Sequence, residues 1–130
     1  MTSSISAGAI VHAKDIERLA RFYADVAGLD IVHEAADHIV LESEVYELVV
    51  VTIPAATAVK IVIAAPPARR ENTAFKLVFM VPGLAGARAA ALAAGGALDA
   101  PEKEWEFQGA RVCDGIDPEG NVIQLRESAD

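Results

Sequence analysis

The sequence is poor in the residues that mark several classes of protein. A single cysteine, Cys113, excludes an internal disulfide framework. There are 11 Lys and Arg residues against 19 Asp and Glu residues, which gives a formal net charge of −8. Nucleic-acid binding needs clustered cations to contact phosphates. We therefore expect no nucleic-acid partner, whereas a small cationic ligand is compatible with this charge.

Long apolar runs are also missing. Hydrophobic residues make up 53% of the 130 residues. Pro, Lys or Thr interrupts each run well short of the ~20 residues that a membrane-spanning helix needs. Met1 to Ser4 carry neither a basic patch nor a long apolar run, so no signal peptide is predicted. We expect a cytoplasmic protein with no membrane partner.

Motifs for several common chemistries are absent from the sequence. It contains no phosphate-binding Gly-x-x-x-x-Gly-Lys, no dinucleotide-binding Gly-x-Gly-x-x-Gly and no nucleophile motif Gly-x-Ser-x-Gly. The length suits a single domain over residues 1–130. Function must therefore be sought in the pattern of helices and strands and in the polar residues that they carry.

The first half of the chain predicts a strand, a helix and three further strands. Residues 5–13 form an apolar run typical of a strand, and Asp15 stands where a helix N-cap belongs. From Ile16 to Ala27, apolar residues recur at helical spacing, and Gly28 ends the helix. Three strand-like runs follow, separated by short polar pairs: Asp30 to Ala35, His38 to Ser43 and Tyr46 to Ile53.

The second half repeats this order after a linker. The linker is predicted to contain a short helix over residues 54–60, a short strand from Ile61 to Ala64 and a loop over residues 66–72. The later elements are a strand over 75–81, an alanine-rich helix over 84–94, strands over 104–107 and 110–116, and a closing strand. Leu98 follows the second helix as Leu29 follows the first, an offset of 98 − 29 = 69 residues. The pattern predicts two βαβββ repeats, over about 5–65 and about 74–127.

The closing strand follows a distinctive stretch, Asp117-Pro118-Glu119-Gly120-Asn121. Its composition is typical of a tight turn, and we expect the Asp117 carboxylate to hydrogen-bond back into that turn. Because side chains alternate along a strand, Gln124 shares one face with Val122 and Arg126, and the opposite face is apolar.

These features together resemble the vicinal oxygen chelate superfamily, which includes glyoxalase I, bleomycin-resistance proteins, fosfomycin-resistance enzymes and extradiol dioxygenases. The resemblance runs from about Gly8 to Glu127. Its motifs are Asp15 with Phe22-Tyr23 and Gly28-Leu29, the same layout one repeat later, and the stretch from Asp117 to Asn121. It implies an α+β fold in which two βαβββ repeats form a glyoxalase/bleomycin-resistance-type sheet around a cavity. It also implies a homodimer, since many members complete their cavities by dimerising.

The same resemblance implies where a metal would be bound. Metal-dependent members place one ligand, typically His or Glu, on each of four strands. Here the positions fall at Gly8, Glu47, Lys76 and Gln124, and Gln124 stands where those members have a glutamate. One carboxylate and one amide are too few ligands for a divalent ion. We therefore expect no metal cofactor, although a count shifted within the first strand would bring His12 to the same face.

The candidate cavity residues are charged, amide and aromatic: Glu47, Lys76, Trp105, Phe107, Arg111 and Gln124. Lys76 is either an anchor for a ligand's carboxylate or carbonyl, or one half of an ion pair with Glu47. Trp105 and Phe107 alternate on a strand and form either a pocket wall or a core or dimer contact. Gln124 either bonds a ligand or ties strands together.

The remaining reactive residues have simpler interpretations. Arg111 and Cys113 share a strand face, and no activating base for the thiol is visible in the sequence. We therefore expect Cys113 to be a small buried side chain. The three histidines, His12, His33 and His38, show no metal-ligand spacing on a helix and are expected at the surface or at strand edges.

The sequence therefore predicts a glyoxalase/bleomycin resistance/dioxygenase superfamily protein that binds a small organic molecule in a metal-free cavity. One alternative is a metal-dependent lyase, isomerase or dioxygenase of the same superfamily, with the metal held by Glu47 and a histidine. Another is an accessory protein whose cavity is filled by side chains. The sequence alone does not decide between binding and catalysis.

Overall fold

The computed structural model describes residues 4–128. The first repeat consists of β1 (Ala7–Ala13), α1 (Ile16–Ala27), β2 (Asp30–Glu34), β3 (His38–Glu42) and β4 (Tyr46–Thr52). Its strands form a sheet in the order β1-β4-β3-β2, in which β1 and β4 are parallel and the other pairs antiparallel. The predicted bounds of α1 are confirmed, with the Asp15 side chain accepting from the Arg18 N–H and Gly28 ending the helix at φ 73°.

A linker containing α2 (Ala55–Ala58) leads to the second repeat. That repeat consists of β5 (Leu77–Val81), α3 (Leu84–Ala93), β6 (Ala97–Leu98), a 3-10 helix (Pro101–Lys103), β7 (Trp105–Phe107), β8 (Ala110–Ile116) and β9 (Val122–Ser128). The sheet order is β5-β9-β8-β6, and β7 pairs with β8 as well. The predicted α+β fold of two βαβββ repeats is confirmed.

The core lies between the two helices and one face of each sheet. Helix α1 packs against α3 and against strands of both sheets. Phe22 and Tyr23 of α1 are fully buried, and the Tyr23 ring lies 5.6 Å from the Phe79 ring of β5. Burying an aromatic side chain of this size contributes about 2 kcal/mol. No helix of the described chain is long and apolar enough to cross a membrane.

The opposite faces of the sheets are not covered by the helices, and most of their side chains are partly or fully exposed. Residues paired in register share a face, so each face can be defined by its residues. The first open face consists of Gly8, Ile10, His12, His38, Val40, Glu42, Glu47, Val49 and Val51. The second open face consists of Val78, Met80, Trp105, Phe107, Ala110, Val112, Asp114, Ile116, Val122, Gln124 and Arg126.

The predicted strand from Ile61 to Ala64 is wrong. Among the described residues this segment has no strand partner. The Lys14 ammonium donates to the Ile61 carbonyl, and the segment lies beside the turn residue Glu119. β-Branched residues favour a strand only where a neighbouring strand supplies packing and pairing partners, and this segment lies beside a turn instead.

Candidate functional site

The Asp117 carboxylate is the centre of the turn that precedes β9. It is fully buried and accepts hydrogen bonds from the Tyr23 hydroxyl at 2.7 Å and from the Glu119 and Asn121 backbone N–H groups at 2.9 and 3.0 Å. The expected hydrogen bonding back into the turn is therefore confirmed. Burial raises the pKa of Asp117, while its hydrogen bonds act in the opposite direction. Burial and the nearby Asp117 charge raise the pKa of Tyr23 well above its usual value.

The same turn ties three parts of the chain together. The Glu119 carboxylate accepts from the backbone N–H groups of Lys14 and the following residue at 2.9 and 2.8 Å. Gly120 has φ 86°, and its carbonyl accepts from the Arg70 N–H at 3.0 Å. A Cβ at Gly120 would lie 2.0 Å from the Ala68 carbonyl oxygen. The turn therefore positions the first repeat, the linker and β9 relative to one another.

A chain of four polar side chains crosses the second open face. Lys76 Nζ donates to Asp114 Oδ2 at 2.8 Å, and Gln124 Nε2 donates to Asp114 Oδ1 at 3.2 Å. Arg126 Nε donates to Gln124 Oε1 at 2.8 Å. Since arginine only donates and a carboxylate only accepts, the orientation of the Gln124 amide follows from its neighbours. Gln124 is 8% exposed, so these bonds satisfy a buried polar group.

Aromatic side chains lie at the end of this polar chain. The Arg126 guanidinium carbon lies 5.0 Å from the centre of the Phe107 ring, a cation–π contact. Trp105 and Phe107 share the second open face and remain 40% and 45% exposed. The face therefore offers a flat apolar surface beside the polar chain.

A cavity of 440 Å³ lies between the segment 69–76 and the second open face. Its wall includes four cationic side chains, Arg69, Arg70, Lys76 and Arg126, and two carboxylates, Glu71 and Asp114. The wall is therefore positively charged in a protein whose formal net charge is −8.

The six predicted cavity residues separate into two groups. Lys76 and Gln124 lie in the cavity wall, and Trp105 and Phe107 lie on the same open face. Glu47 and Arg111 are not brought into the cavity. Glu47 lies on the first open face, and the Arg111 guanidinium donates to Glu104 at 2.7 Å.

The structure places this cavity away from Glu47 and Arg111, and it contradicts the alternative of an ion pair between Lys76 and Glu47. The cavity does not lie between Glu47, Lys76, Arg111 and Gln124, because strand alternation turns Arg111 to the same side of β8 as Cys113 and Glu47 belongs to the other sheet. Lys76 does not pair with Glu47, because Asp114 on β8, in the sheet of the second repeat, accepts its ammonium.

Sequence reasoning missed most of the cavity wall, including Asp114, Arg126 and Arg70. Asp114 alternates with apolar Val112 and Ile116 along β8, and this lone acid on an apolar face was a usable signal. Arg126 shares a strand face with Gln124, which alternation already indicated. Arg70 lies in a segment whose composition predicts only a loop, so no sequence signal assigned it to the cavity.

The four positions implied for metal ligands do not fit a divalent ion. Gly8 has no side chain, and a Cβ there would lie 2.6 Å from the Glu47 carbonyl oxygen. Lys76 is a cation in an ion pair, and the Gln124 amide oxygen already accepts from an arginine. Across residues 4–128, no three His, Cys, Asp or Glu side chains are grouped so that they could hold a metal ion.

The alternative with His12 meets a geometric obstacle. His12 shares the first open face with Glu47, but its partner on β4 is Val51. Four residues along a strand span about 13 Å, so His12 and Glu47 cannot bind the same ion without a change of register.

The other reactive side chains have neighbours that explain their positions. Burial raises the pKa of the Cys113 thiol, an effect that the nearby Arg88 reduces. Cys113 is fully buried, as expected. The His33 and His38 rings lie 5.4 Å apart, and His38 Nδ1 lies 2.8 Å from the exposed Asp37 carboxylate.

Comparison with known proteins gives concordant matches. A model of the glyoxalase-like domain matches residues 8–126. A glyoxalase/bleomycin resistance protein/dioxygenase family enzyme from Burkholderia phytofirmans PsJN has a TM-score of 0.69 at 18% identity, over 97% of this chain and 98% of that one. The bleomycin resistance determinant encoded on transposon Tn5 has a TM-score of 0.58 at 19% identity, over 95% and 97%. A search of curated proteins gave no match.

The paired βαβββ repeats define a protein of the glyoxalase/bleomycin resistance/dioxygenase fold. Structural similarity at these identities establishes the fold alone. The domain model covers most of the chain, and the protein therefore belongs to the glyoxalase-like domain family, within the vicinal oxygen chelate superfamily.

Proposed function

We propose that the protein binds a small organic molecule, without a metal ion, in the cavity on the second open face. A volume of 440 Å³ is within the range of small-ligand pockets. The observation that carries the proposal is the polar chain from Lys76 to Arg126. Two positions implied for metal ligands, Lys76 and Gln124, are instead bonded within this chain, directly beside a cavity.

The alternatives are less well supported. A lyase, isomerase or dioxygenase with a metal at Glu47 has Glu42 as a neighbouring carboxylate, but no third His, Cys, Asp or Glu joins them in a metal-binding group among the described residues. An accessory protein whose cavity is filled by side chains is at odds with the 440 Å³ space beside Gln124. Catalysis without a metal requires a reactive group, and the thiol of Cys113 is buried on the helix side of its sheet.

The proposal is tested by thermal unfolding with a panel of aromatic acids, amides and amines, and separately with Mn²⁺, Fe²⁺, Ni²⁺ and Zn²⁺. A ligand at 100 times its Kd stabilises the native state by about 2.7 kcal/mol. We expect members of the organic panel to raise the Tm and the metals to leave it unchanged. Val78→Trp, which fills the cavity, should abolish the shift, and the control Val45→Trp, in an exposed turn, should retain it.

One metal ion per chain in protein purified without chelator, with a matching rise in Tm, would overturn the metal-free proposal. An organic ligand that binds Val78→Trp as well as the wild-type protein would remove the cavity from the proposed function. The expected cytoplasmic location stays a prediction.

We further propose that the protein forms a homodimer through its open faces. Ile10 on the first face is 65% exposed and Met80 on the second is 69% exposed, and clustered apolar side chains of this kind mark interaction surfaces.

A further inference from the structure

The cationic side chains of the cavity differ in whether a carboxylate neutralises them. Arg69 forms an ion pair with Asp99 at 3.0 Å, and Lys76 forms one with Asp114 at 2.8 Å. Arg70 and Arg126 form no ion pair with any carboxylate of the described chain. Two of the four cations in the wall therefore have no charged partner within residues 4–128.

These two guanidinium groups retain donors. Arg70 Nε donates to the Glu119 carbonyl at 3.3 Å, and Arg126 Nε donates to Gln124 Oε1 at 2.8 Å. These bonds hold the side chains but leave both terminal NH₂ groups of each guanidinium available within the described structure. Planar pairs of N–H donors match the oxygens of a carboxylate or a phosphate.

We infer that the ligand of this cavity is a small organic anion whose carboxylate or phosphate oxygens are bound by Arg70 and Arg126. The inference rests on the binding function proposed above and assigns the class of ligand. Val78 and Phe75 in the same wall supply apolar contact for the remainder of the molecule. The net charge of −8 makes the protein as a whole unattractive to anions, so the selectivity arises from this cavity alone.

Three probes with one ring system and different charges test the inference: 1-naphthoate, 1-naphthamide and 1-naphthylmethylamine. Calorimetry at low salt should give a Kd for the acid at least about tenfold below that for the amide, because hydrogen bonds to charged groups are the stronger ones. The amine should bind most weakly. Arg126→Gln and Arg70→Gln should each reduce the preference for the acid by about tenfold. Arg21→Gln, on the exposed side of α1, is the matched control and should leave it unchanged.

A competition experiment distinguishes a carboxylate ligand from a phosphate ligand. It uses the wild-type protein, so its result does not depend on whether a variant folds. Displacement of 1-naphthoate from the wild-type protein by inorganic phosphate supports a phosphate-compatible site, whereas displacement by acetate alone supports a carboxylate site. Equal affinity for the acid and the amide, abolished in Val78→Trp, overturns the inference and leaves the proposed binding function standing. If none of the three probes binds, and inorganic phosphate does not bind either, the inference is overturned. The proposed binding function is then tested independently by the thermal-shift panel of organic molecules.

Discussion

Gln124 connects a cation to an anion through its two amide atoms. Its oxygen accepts from Arg126 and its nitrogen donates to Asp114 at 3.2 Å. A glutamate at this position would keep the bond from Arg126 but would lose the donor to Asp114 and place a second carboxylate beside it, where like charges repel. The neutral amide avoids this conflict. Its presence at a position where metal-dependent relatives have a glutamate is thus consistent with the residues around it.

Replacing Gly120 or Gly86 by alanine should change the stability of the protein in opposite directions. At Gly120, φ is 86° and a Cβ would lie 2.0 Å from a backbone oxygen, so Gly120→Ala should lower the free energy of unfolding by about 1–3 kcal/mol. Gly86 lies within α3, and a Cβ added there would meet no other part of the structure within 4 Å. Gly86→Ala should therefore raise the free energy of unfolding by about 0.5–1 kcal/mol. Urea denaturation measures both changes, and shifts of the same sign would contradict the structure.

At the scale of elements, an ion-pair cluster attaches the chain between β6 and β7 to helix α3. The Glu104 carboxylate pairs with Arg88 of α3 and with Arg111 of β8, and its side chain is 8% exposed. Arg88 also donates to the Asp99 carbonyl at 3.1 Å. The cluster therefore holds the 3-10 helix against the rest of the second repeat.

This cluster predicts a pH dependence of stability. Hydrogen bonds from Arg88 and Arg111 hold the pKa of Glu104 below its usual 4.5. A carboxylate with a lowered pKa stabilises the folded state above the unfolded pKa, and that contribution is lost as the pH falls through the folded value. Glu104→Gln should therefore have a lower free energy of unfolding than the wild type near pH 7. The difference between the two proteins should become smaller below pH ~4.5. Chemical denaturation across this range is the measurement.

The control for this prediction is Glu102→Gln, at an exposed position in the same 3-10 helix. It removes one negative charge without touching the arginines of the cluster. If the difference in free energy of unfolding between the wild type and Glu104→Gln stays constant from pH 7 to pH 3, the charge of the Glu104 carboxylate does not contribute to stability.

At the scale of the whole molecule, the two repeats are joined through the buried turn before β9. Tyr23 of the first repeat donates to Asp117 of the second, and Glu119 accepts from the backbone of Lys14. Helix α1 packs against α3 between the sheets. Both open faces therefore remain on the outside of the joined repeats, where a second copy can contact them.

The proposed dimer is tested by a single charge on the first open face. Ile10→Glu places a carboxylate on an apolar side chain that is 65% exposed, and we expect it to convert the dimer to a monomer. Leu92→Glu makes the same change at a side chain of α3 that is 73% exposed and should leave the dimer intact. Size-exclusion chromatography with light scattering distinguishes the two. A monomeric wild-type protein at all concentrations, or loss of the dimer in both variants, would contradict the proposal.

Local patterns in the sequence were sufficient for most of the fold. The bounds of α1 follow from its apolar spacing, Asp15 and Gly28, and the alternation along β9 correctly placed Gln124 and Arg126 on one face. The segment from Ile61 to Ala64 shows the limit of such patterns. Its composition predicts a strand, but strand formation depends on a partner supplied from elsewhere in the chain.

The sequence by itself determined the type and order of most elements outside the linker and which side of its own strand each residue faces, because helix and strand periodicities are local properties. Tertiary structure decided which side chains meet. The partner of Lys76 is Asp114, 38 residues away, and Glu47 lies on another sheet. Alternation does not specify which strand lies beside which, or where a linker residue such as Arg70 docks. The charge of the cavity therefore depends on strand order and linker position, which only the folded chain establishes.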